Sequence, residues 1–450
     1  MTLAPDWLTP DLNVFTPALW PMTAVVDGGL LSIGGLPVTQ AVAQLGTPLY
    51  LIDEDDFLSR AKAFQQAFEP WQVVYASKAF LCQAVASWVS QLGIGLDVCS
   101  AGELAVALRA GVDPASLVLH GNNKSAELLD SALKAGVGRI VVDADDEIDR
   151  LVAMAAKQKQ RVSVLLRVTP NVKASTHAHV QTAIKDQKFG FDLDKGLALS
   201  ALQRLQTEPD LELLGIHCHL GSQIRDLATY RQVVDRLVSL LVAYRQITGL
   251  ELSELNLGGG FGIAYTPVDQ PLAATEIASS LKAAVSQACA QVGIAEPACT
   301  VEPGRAIVGP AGVALYTVGT VKAVELEEGI RTYVAVDGGL SDNPRPALYQ
   351  AEYSAWLANR SSTAEPKLCR VVGQHCETGD VIVANAFLPG DLRPGDLIAV
   401  PASGAYQRSM ASNYNCSLRP PVAAVREGKV RVLLRRETID DLLRVDVGRR

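Results

Sequence analysis

Seven groups of chemically able residues recur along the chain, each closing a short apolar run. They are Tyr75-Ala76-Ser77-Lys78, Asp97-Val98-Cys99-Ser100, His120-Gly121-Asn122-Asn123-Lys124, Arg167, His217-Cys218-His219-Leu220-Gly221-Ser222, Gly258-Gly259-Gly260-Phe261-Gly262 and Glu302-Pro303-Gly304-Arg305. One such group is ordinary; seven in series suggest a site, and the residue types limit its chemistry. Lys78 by default is a solvated lysine. Held in a cleft below its usual pKa of about 10.4, its amine becomes a nucleophile for an aldehyde. The glycine run reads either as a tight turn or as a cradle of bare amides for a phosphate, because backbone without Cβ atoms can approach a ligand closely. It is not a dinucleotide fingerprint, since the third glycine of that pattern would fall on Ile263.

His217 and His219 alternate, so both face one side of an extended run. A two-histidine metal site is one reading, but no third ligand is convincingly spaced, and no metal is expected. A ring laid over an aromatic cofactor fits as well, and a satisfied core histidine is the plain alternative. Glu302 and Arg305 form either a simple ion pair or one anionic and one cationic contact to a charged ligand. Walker A and zinc-protease motifs are absent, which removes ATP enzymes and zincins. A lysine for an imine, glycines for a phosphate, a covering histidine and a glutamate for a pyridinium together describe a pyridoxal-phosphate site.

Elements must bring these groups to one place. Between residues 49 and 309 short apolar runs alternate with helical patterns, the mark of repeated βα units. Eight candidate strands stand out: Val73–Tyr75, Ile94–Val98, Leu117–His120, Ile140–Asp143, Val162–Val168, Leu213–His219, Leu255–Leu257 and Cys299–Glu302. Eight strands in a span close to the roughly 250 residues usual for a (β/α)8 barrel predict that fold, with the polar groups on the C-terminal rim. Helices are expected over Gly102–Ala110 and Tyr230–Ile247 from their three-and-four apolar spacing. Residues 310–450 change character: Val313–Val324, Thr332–Asp337, Cys369–Gly373, Val381–Phe387, Leu397–Val400 and a hairpin at Glu427-Gly428-Lys429 predict a second, β-rich domain of sandwich or barrel type. Residues 1–48 are expected to pack with it through the extended Val25–Ile33.

The 450 residues carry 40 basic and 48 acidic side chains, a formal charge of -8, which gives no electrostatic footprint for nucleic acid. The first basic residue is Arg60, so the expected reading has no secretory signal, and the long uncharged stretch 28–52 is too broken by glycine and proline for a membrane helix. The eight cysteines show no zinc-like spacing. A cytoplasmic enzyme is expected.

The motifs Tyr75-Ala76-Ser77-Lys78-Ala79, His219-Leu220-Gly221-Ser222-Gln223, Gly258–Gly262 and Glu302-Pro303-Gly304-Arg305 resemble those of the barrel-type pyridoxal-phosphate decarboxylases of basic amino acids. Asp342-Asn343-Pro344-Arg345-Pro346-Ala347-Leu348-Tyr349, Gly373-Gln374-His375-Cys376-Glu377-Thr378-Gly379-Asp380 and Gly404-Ala405-Tyr406 are similar to the diaminopimelate decarboxylase branch, over nearly the whole chain. That resemblance implies a lyase that converts meso-diaminopimelate to L-lysine and carbon dioxide, the last step of lysine biosynthesis. It implies Lys78 as the Schiff-base lysine, His219 over the cofactor ring, Ser222, Gly258, Gly259 and Gly260 around the phosphate, and Gly304 and Arg305 also at the cofactor. Glu302 would meet the pyridine nitrogen. Arg305, Arg345 and Tyr349 would grip the distal carboxylate of the substrate, and Glu377 its distal ammonium. Cys376 would donate the proton, Tyr406 would close over cofactor and substrate, and a homodimer with shared active sites is implied. Thr169, Ala183 and Gln187 depart from the family's usual Asn, Gly and Ser after the fifth strand. Another basic amino acid or a carboxy-polyamine as substrate, or a regulatory homologue without activity, is the alternative. Arg345 with Glu377 argues against the first, and the presence of Lys78 and Cys376 against the second.

Overall fold

The computed structural model describes residues 5, 8–9, 15–172, 188–219, 221–327 and 329–448. The chain divides into two compact units: residues 61–262 with 271–304, and residues 1–60 with 263–270 and 305–450.

The first unit is a closed barrel of eight parallel strands: Gln72–Ala76, Gly95–Val98, Leu117–Leu119, Arg139–Val142, Val162–Thr169, Leu211–His217, Glu254–Asn256 and Ala298–Val301. Each pairs with its sequence neighbour, and the last returns to the first. All eight expected strands are present. They were legible because a barrel strand is covered on both faces, so its residues are apolar without alternation; Leu117–Leu119 is buried throughout. Val74, Val118, Val141 and Leu165, from four different strands, pack together inside the barrel.

Local signals set the helix ends. Ala101–Arg109 starts where the Ser100 side chain accepts the Glu103 amide, and Glu103 answers by accepting the Cys99 amide, a reciprocal cap. The expected 230–247 helix is longer, Leu227–Thr248, because Asp226 caps its start and Gly249 in the left-handed region ends it. Among the described residues no helix is long and apolar enough to cross a membrane.

The second unit is built on one mixed sheet. Its organising strand, Gly312–Leu326, pairs antiparallel with Leu49–Asp53 and Leu397–Val400 along its buried first part. Along its more exposed second part it pairs with Gly329–Val336. Pro366–Val372 and Val381–Pro389 extend one edge, and Val422–Arg426 with Lys429–Leu434 the other. The run Leu49–Asp53, read as the opening of the barrel span, belongs to this sheet. Leu19, Trp20, Leu31, Ile33 and Val38 join Leu49, Leu51, Val313 and Leu315 in its core, each side chain contributing roughly 1.5–3 kcal/mol on burial.

Candidate active site

At the C-terminal rim of the barrel, the first strand runs into a 3-10 turn, Ser77–Ala79. Lys78 is exposed while Ser77 and Ala79 beside it are buried. The turn is pinned by Asp97, whose Oδ1 accepts the Ser77 amide at 2.7 Å. Burial is the main force raising the Asp97 carboxyl to about 6; Glu302 pushes the same way, while His120 and Lys78 oppose it.

Glu302, just after the last strand, is buried at 5% exposure and receives three hydrogen bonds. Asn256 Nδ2 donates to Oε1 at 2.8 Å; His120 Nε2 lies 3.0 Å from Oε1 and His217 Nε2 3.2 Å from Oε2. Burial alone would raise this carboxyl, but the two histidines and their hydrogen bonds more than reverse that and hold it well below the usual range. The His217 ring is driven down to about 3, first by burial, so it is neutral near pH 7. His219 is likewise driven well below its ordinary value by burial, then by Lys78 and Arg167. Neither His120 nor Asn256 was chosen from the sequence. The signal for Asn256 was its place two residues before Gly258, on the same strand face.

The glycine run follows Asn256 directly. The Gly258 amide donates to Asn256 Oδ1 at 2.8 Å and the Gly259 amide to His219 Nδ1 at 3.4 Å. A Cβ on Gly258 would meet the Cys218 carbonyl oxygen at 2.3 Å, with φ at +67°, and one on Gly259 would meet the Glu302 carbonyl oxygen at 2.1 Å. Real Cβ atoms do not come so close, so the loops after strands six, seven and eight pack backbone on backbone. The Ile224 amide donates to Gly260 O and the Gly262 amide to Ile224 O, closing the loop that carries Ser222 against the glycines. Gly304 meets the first strand in the same way, its Cβ direction 2.7 Å from Ala76 O.

Two further supports frame the rim. Lys124, 1% exposed, donates to Gly121 O, Val141 O and Glu147 Oε1 at 2.6–2.7 Å, locking the loop behind His120. Arg167 lies over the Phe189 ring at 5.0 Å. Thr169, one of the departures, donates from its hydroxyl to Phe189 O at 2.6 Å; Ala183 and Gln187 lie outside the described residues.

In the β unit, Arg305 and Arg345 are both buried among tyrosines. Arg305 donates to the Tyr265 hydroxyl and Arg345 to that of Tyr353. The Arg345 guanidinium stands 4.7 Å from the Tyr265 ring centre and that of Arg305 4.5 Å from Tyr406. Tyr265 and Tyr353 meet edge to face at 5.0 Å. Arg345 has no ion pair with a carboxylate among the described residues. Tyr265 and Tyr353 were not foreseen, and Tyr349, 38% exposed, is not among these rings. Cys376 and Glu377 sit exposed on a turn. It is braced beneath by Asp380, which accepts the Leu340 and His375 amides, and by His375 Nε2, 2.8 Å from Ser341 Oγ.

The rim residues fit pyridoxal phosphate: a cradle that only glycine can form, an exposed amine on a pinned turn, and a buried carboxylate surrounded by donors. Comparison with known proteins agrees. Residues 54–309 match the family model for the pyridoxal-dependent decarboxylase, pyridoxal binding domain. The chain is 47% identical over 447 residues to the diaminopimelate decarboxylase of Mycobacterium tuberculosis, covering 97% of this chain and 99% of that one. It is 43% identical over 423 residues to the enzyme of the same name from Bacillus subtilis, covering 93% and 95%. Among solved structures, the diaminopimelate decarboxylase of M. jannaschii in complex with L-lysine superposes with a TM-score of 0.88 at 29% identity, covering 95% of this chain and 98% of that one.

Proposed function

We propose that this chain, which belongs to the pyridoxal-dependent decarboxylase family, removes one carboxylate of meso-diaminopimelate to release carbon dioxide and L-lysine. Bound pyridoxal phosphate supplies the electron sink for the pair left behind as the carboxylate departs. In this reading Lys78 is the amine that bonds the cofactor aldehyde, and Asp97 holds its turn. Ser222 and the Gly258, Gly259 and Gly260 backbone take the phosphate, with Gly304 beside them, and His219 covers the ring. Glu302 keeps a proton on the pyridine nitrogen. Cys376 delivers the proton that replaces carbon dioxide, acting as a general acid.

Substrate choice rests on one observation: the buried Arg345 guanidinium is held by tyrosine rings and has no carboxylate partner among the described residues. A buried cation without an anion is costly, and the distal carboxylate of diaminopimelate supplies that anion. Arg305 and Tyr349 share the task, Glu377 takes the distal ammonium, and Tyr406 covers both. The exposed Cys376-Glu377 turn serves the active site of a second copy, making a homodimer, and the cytoplasm is the proposed location.

The test is to supply purified protein with pyridoxal phosphate and offer meso-diaminopimelate, L-lysine or L-ornithine in parallel. Lysine and carbon dioxide in equal amounts from the first, with rates at least about 10³-fold lower on the others, is the expected result, because the latter leave Arg345 unpaired. Comparable turnover of lysine or ornithine would refute the substrate assignment. Arg345→Met is expected to erase most of that discrimination.

A further inference from the structure

Glu302 is the meeting point of three donors that come from three other strands. The amide of Asn256 can point only one way: its Oδ1 is taken by the Gly258 amide, so its Nδ2 must face Glu302 Oε1. The His217 ring is fully buried, and its Nδ1 has no hydrogen-bond partner among the described residues. A proton on that nitrogen would be a buried, unsatisfied donor and would aim the bare Nε2 lone pair at the carboxylate. The proton therefore sits on Nε2 and points at Oε2. His120 Nε2 reaches Oε1, and its ring lies 4.7 Å from that of His217, edge to face.

His120, His217 and Glu302 offer ligand atoms within 4.8 Å of one another, a spacing that a metal ion could also use. The Asn256 N–H aimed at the same oxygen argues for a shell of donors instead. A cation there would face a partly positive hydrogen, whereas an anionic carboxylate attracts it.

We propose that His120, His217 and Asn256 are positioning residues that fill three of the four lone-pair sites of Glu302 and leave one, on Oε2, for a single N–H of the bound ligand. A carboxylate accepts about four hydrogen bonds. Among the described residues, Oε1 takes two and Oε2 takes one. The remaining site suits the protonated nitrogen of a pyridine ring, so this inference rests on the proposed role of pyridoxal phosphate and Glu302. The shell does two things for that role. It keeps Glu302 ionised although buried, and it stops the carboxylate from rotating away. Of the charged groups that act on Glu302 electrostatically, Asp97 and Arg167 oppose each other in sign. The donors therefore set the balance. The Gly258 link also ties this shell to the phosphate cradle, so that the two ends of one ligand are held by a single rigid path through Asn256.

The experiment compares Leu with Gln at each histidine, because the Gln amide nitrogen can stand where Nε2 stood. Protein is reconstituted with pyridoxal phosphate labelled with 15N in the ring, and the 15N shift reports the proton on that nitrogen. Steady-state kcat and KM on meso-diaminopimelate are measured alongside. His217→Leu and His120→Leu are expected to raise the proton affinity of Glu302 by about 10- to 100-fold, the worth of one hydrogen bond to a charged group, and so to draw the shared proton from the ring nitrogen onto the carboxylate. The resonance should move toward the unprotonated pyridine position and kcat should fall with KM little changed. His217→Gln and His120→Gln are expected to recover most of both. Wild-type shift and kcat in the Leu variants would overturn the proposal. Equal losses in the Leu and Gln variants, with the 15N shift unmoved, would also overturn it by showing a purely structural role. A wild-type nitrogen without a proton would instead refute the Glu302 assignment beneath it. If His217→Leu fails to fold, the less buried His120 pair decides the matter.

Discussion

Asp342→Asn is expected to stabilise the protein, and by an amount that depends on pH in a specified way. Asp342 is 2% exposed, and its Oδ1 accepts the Gly339 amide. Its other oxygen stands near the Tyr316 hydroxyl. Burial lifts this carboxyl from 3.8 to about 7, only partly offset by the Gly339 amide and Tyr316. A raised folded-state pKa means that the folded protein binds a proton the unfolded chain has already lost. Stability from this group is thus complete below pH 4 and declines as pH rises toward 7. About three units at 1.4 kcal/mol each set a ceiling of ~4 kcal/mol by pH 8. Asn keeps an acceptor for the Gly339 amide and carries no charge to desolvate. The difference between variant and wild type in urea unfolding of the holoprotein should therefore rise from pH 4 to pH 7 and level off above it. A difference that is flat across pH 4–8, or that has the opposite slope, would refute the reasoning.

Three other outcomes are expected. Cys376→Ala should lower kcat by about 10²- to 10⁴-fold, the range for a lost proton donor, with cofactor binding unchanged because the residue sits on an exposed turn; unaltered kcat would remove it as the donor. Gly259→Ala should cost both cofactor affinity and kcat, on the order of 10²-fold, because its Cβ would stand 2.1 Å from Glu302 O and must displace one loop. Wild-type affinity in that variant would show that the loops yield. Lys124→Met should destabilise the fold by about 3–5 kcal/mol, because Glu147, Gly121 O and Val141 O would all lose their shared partner; a melting temperature within a degree of wild type would contradict this.

What the sequence revealed and what it hid follow from the range of the interactions. Barrel strands announce themselves because burial on both faces requires apolar runs, and helix 227–248 because its apolar spacing is local; only its start, set by Asp226, was missed. Leu49–Asp53 is an apolar run of the same kind, and nothing within it says whether it will pair with barrel strands or with Gly312–Leu326. Only pairing partners hundreds of residues away decide that. The same limit applies to the site. Lys78, the glycines and Glu302 are visible because each sits in its own short motif. That His120 and His217 both meet Glu302 is not, since His120 is 182 residues from it and His217 is 85. Tyr265 and Tyr353 were hidden for a different reason: a tyrosine reads as core until a buried arginine is found beside it.

Where polar groups lack partners is as informative as where they have them. Lys124 is buried with three acceptors, and Glu302 with three donors among the described residues. The first count exhausts the three N–H groups of an ammonium, and the second falls one short of what a carboxylate accepts. Lys124 is therefore finished as a structural element, whereas Glu302 retains capacity for one more hydrogen bond. Arg345 lies further along the same scale. It is buried with tyrosine hydroxyls and two ring faces, and it has no ion pair among the described residues. Its hydrogen-bonding neighbours are the Tyr353 and Tyr265 hydroxyls, fewer than the five N–H groups of a guanidinium. By this count, substitution at Lys124 should act first on stability, while substitution at Glu302 or Arg345 should act first on ligands. Melting temperature and substrate profile, measured on the same three variants, separate the two classes, and a Glu302→Gln or Arg345→Met protein that lost stability while keeping its ligand affinities would break the argument.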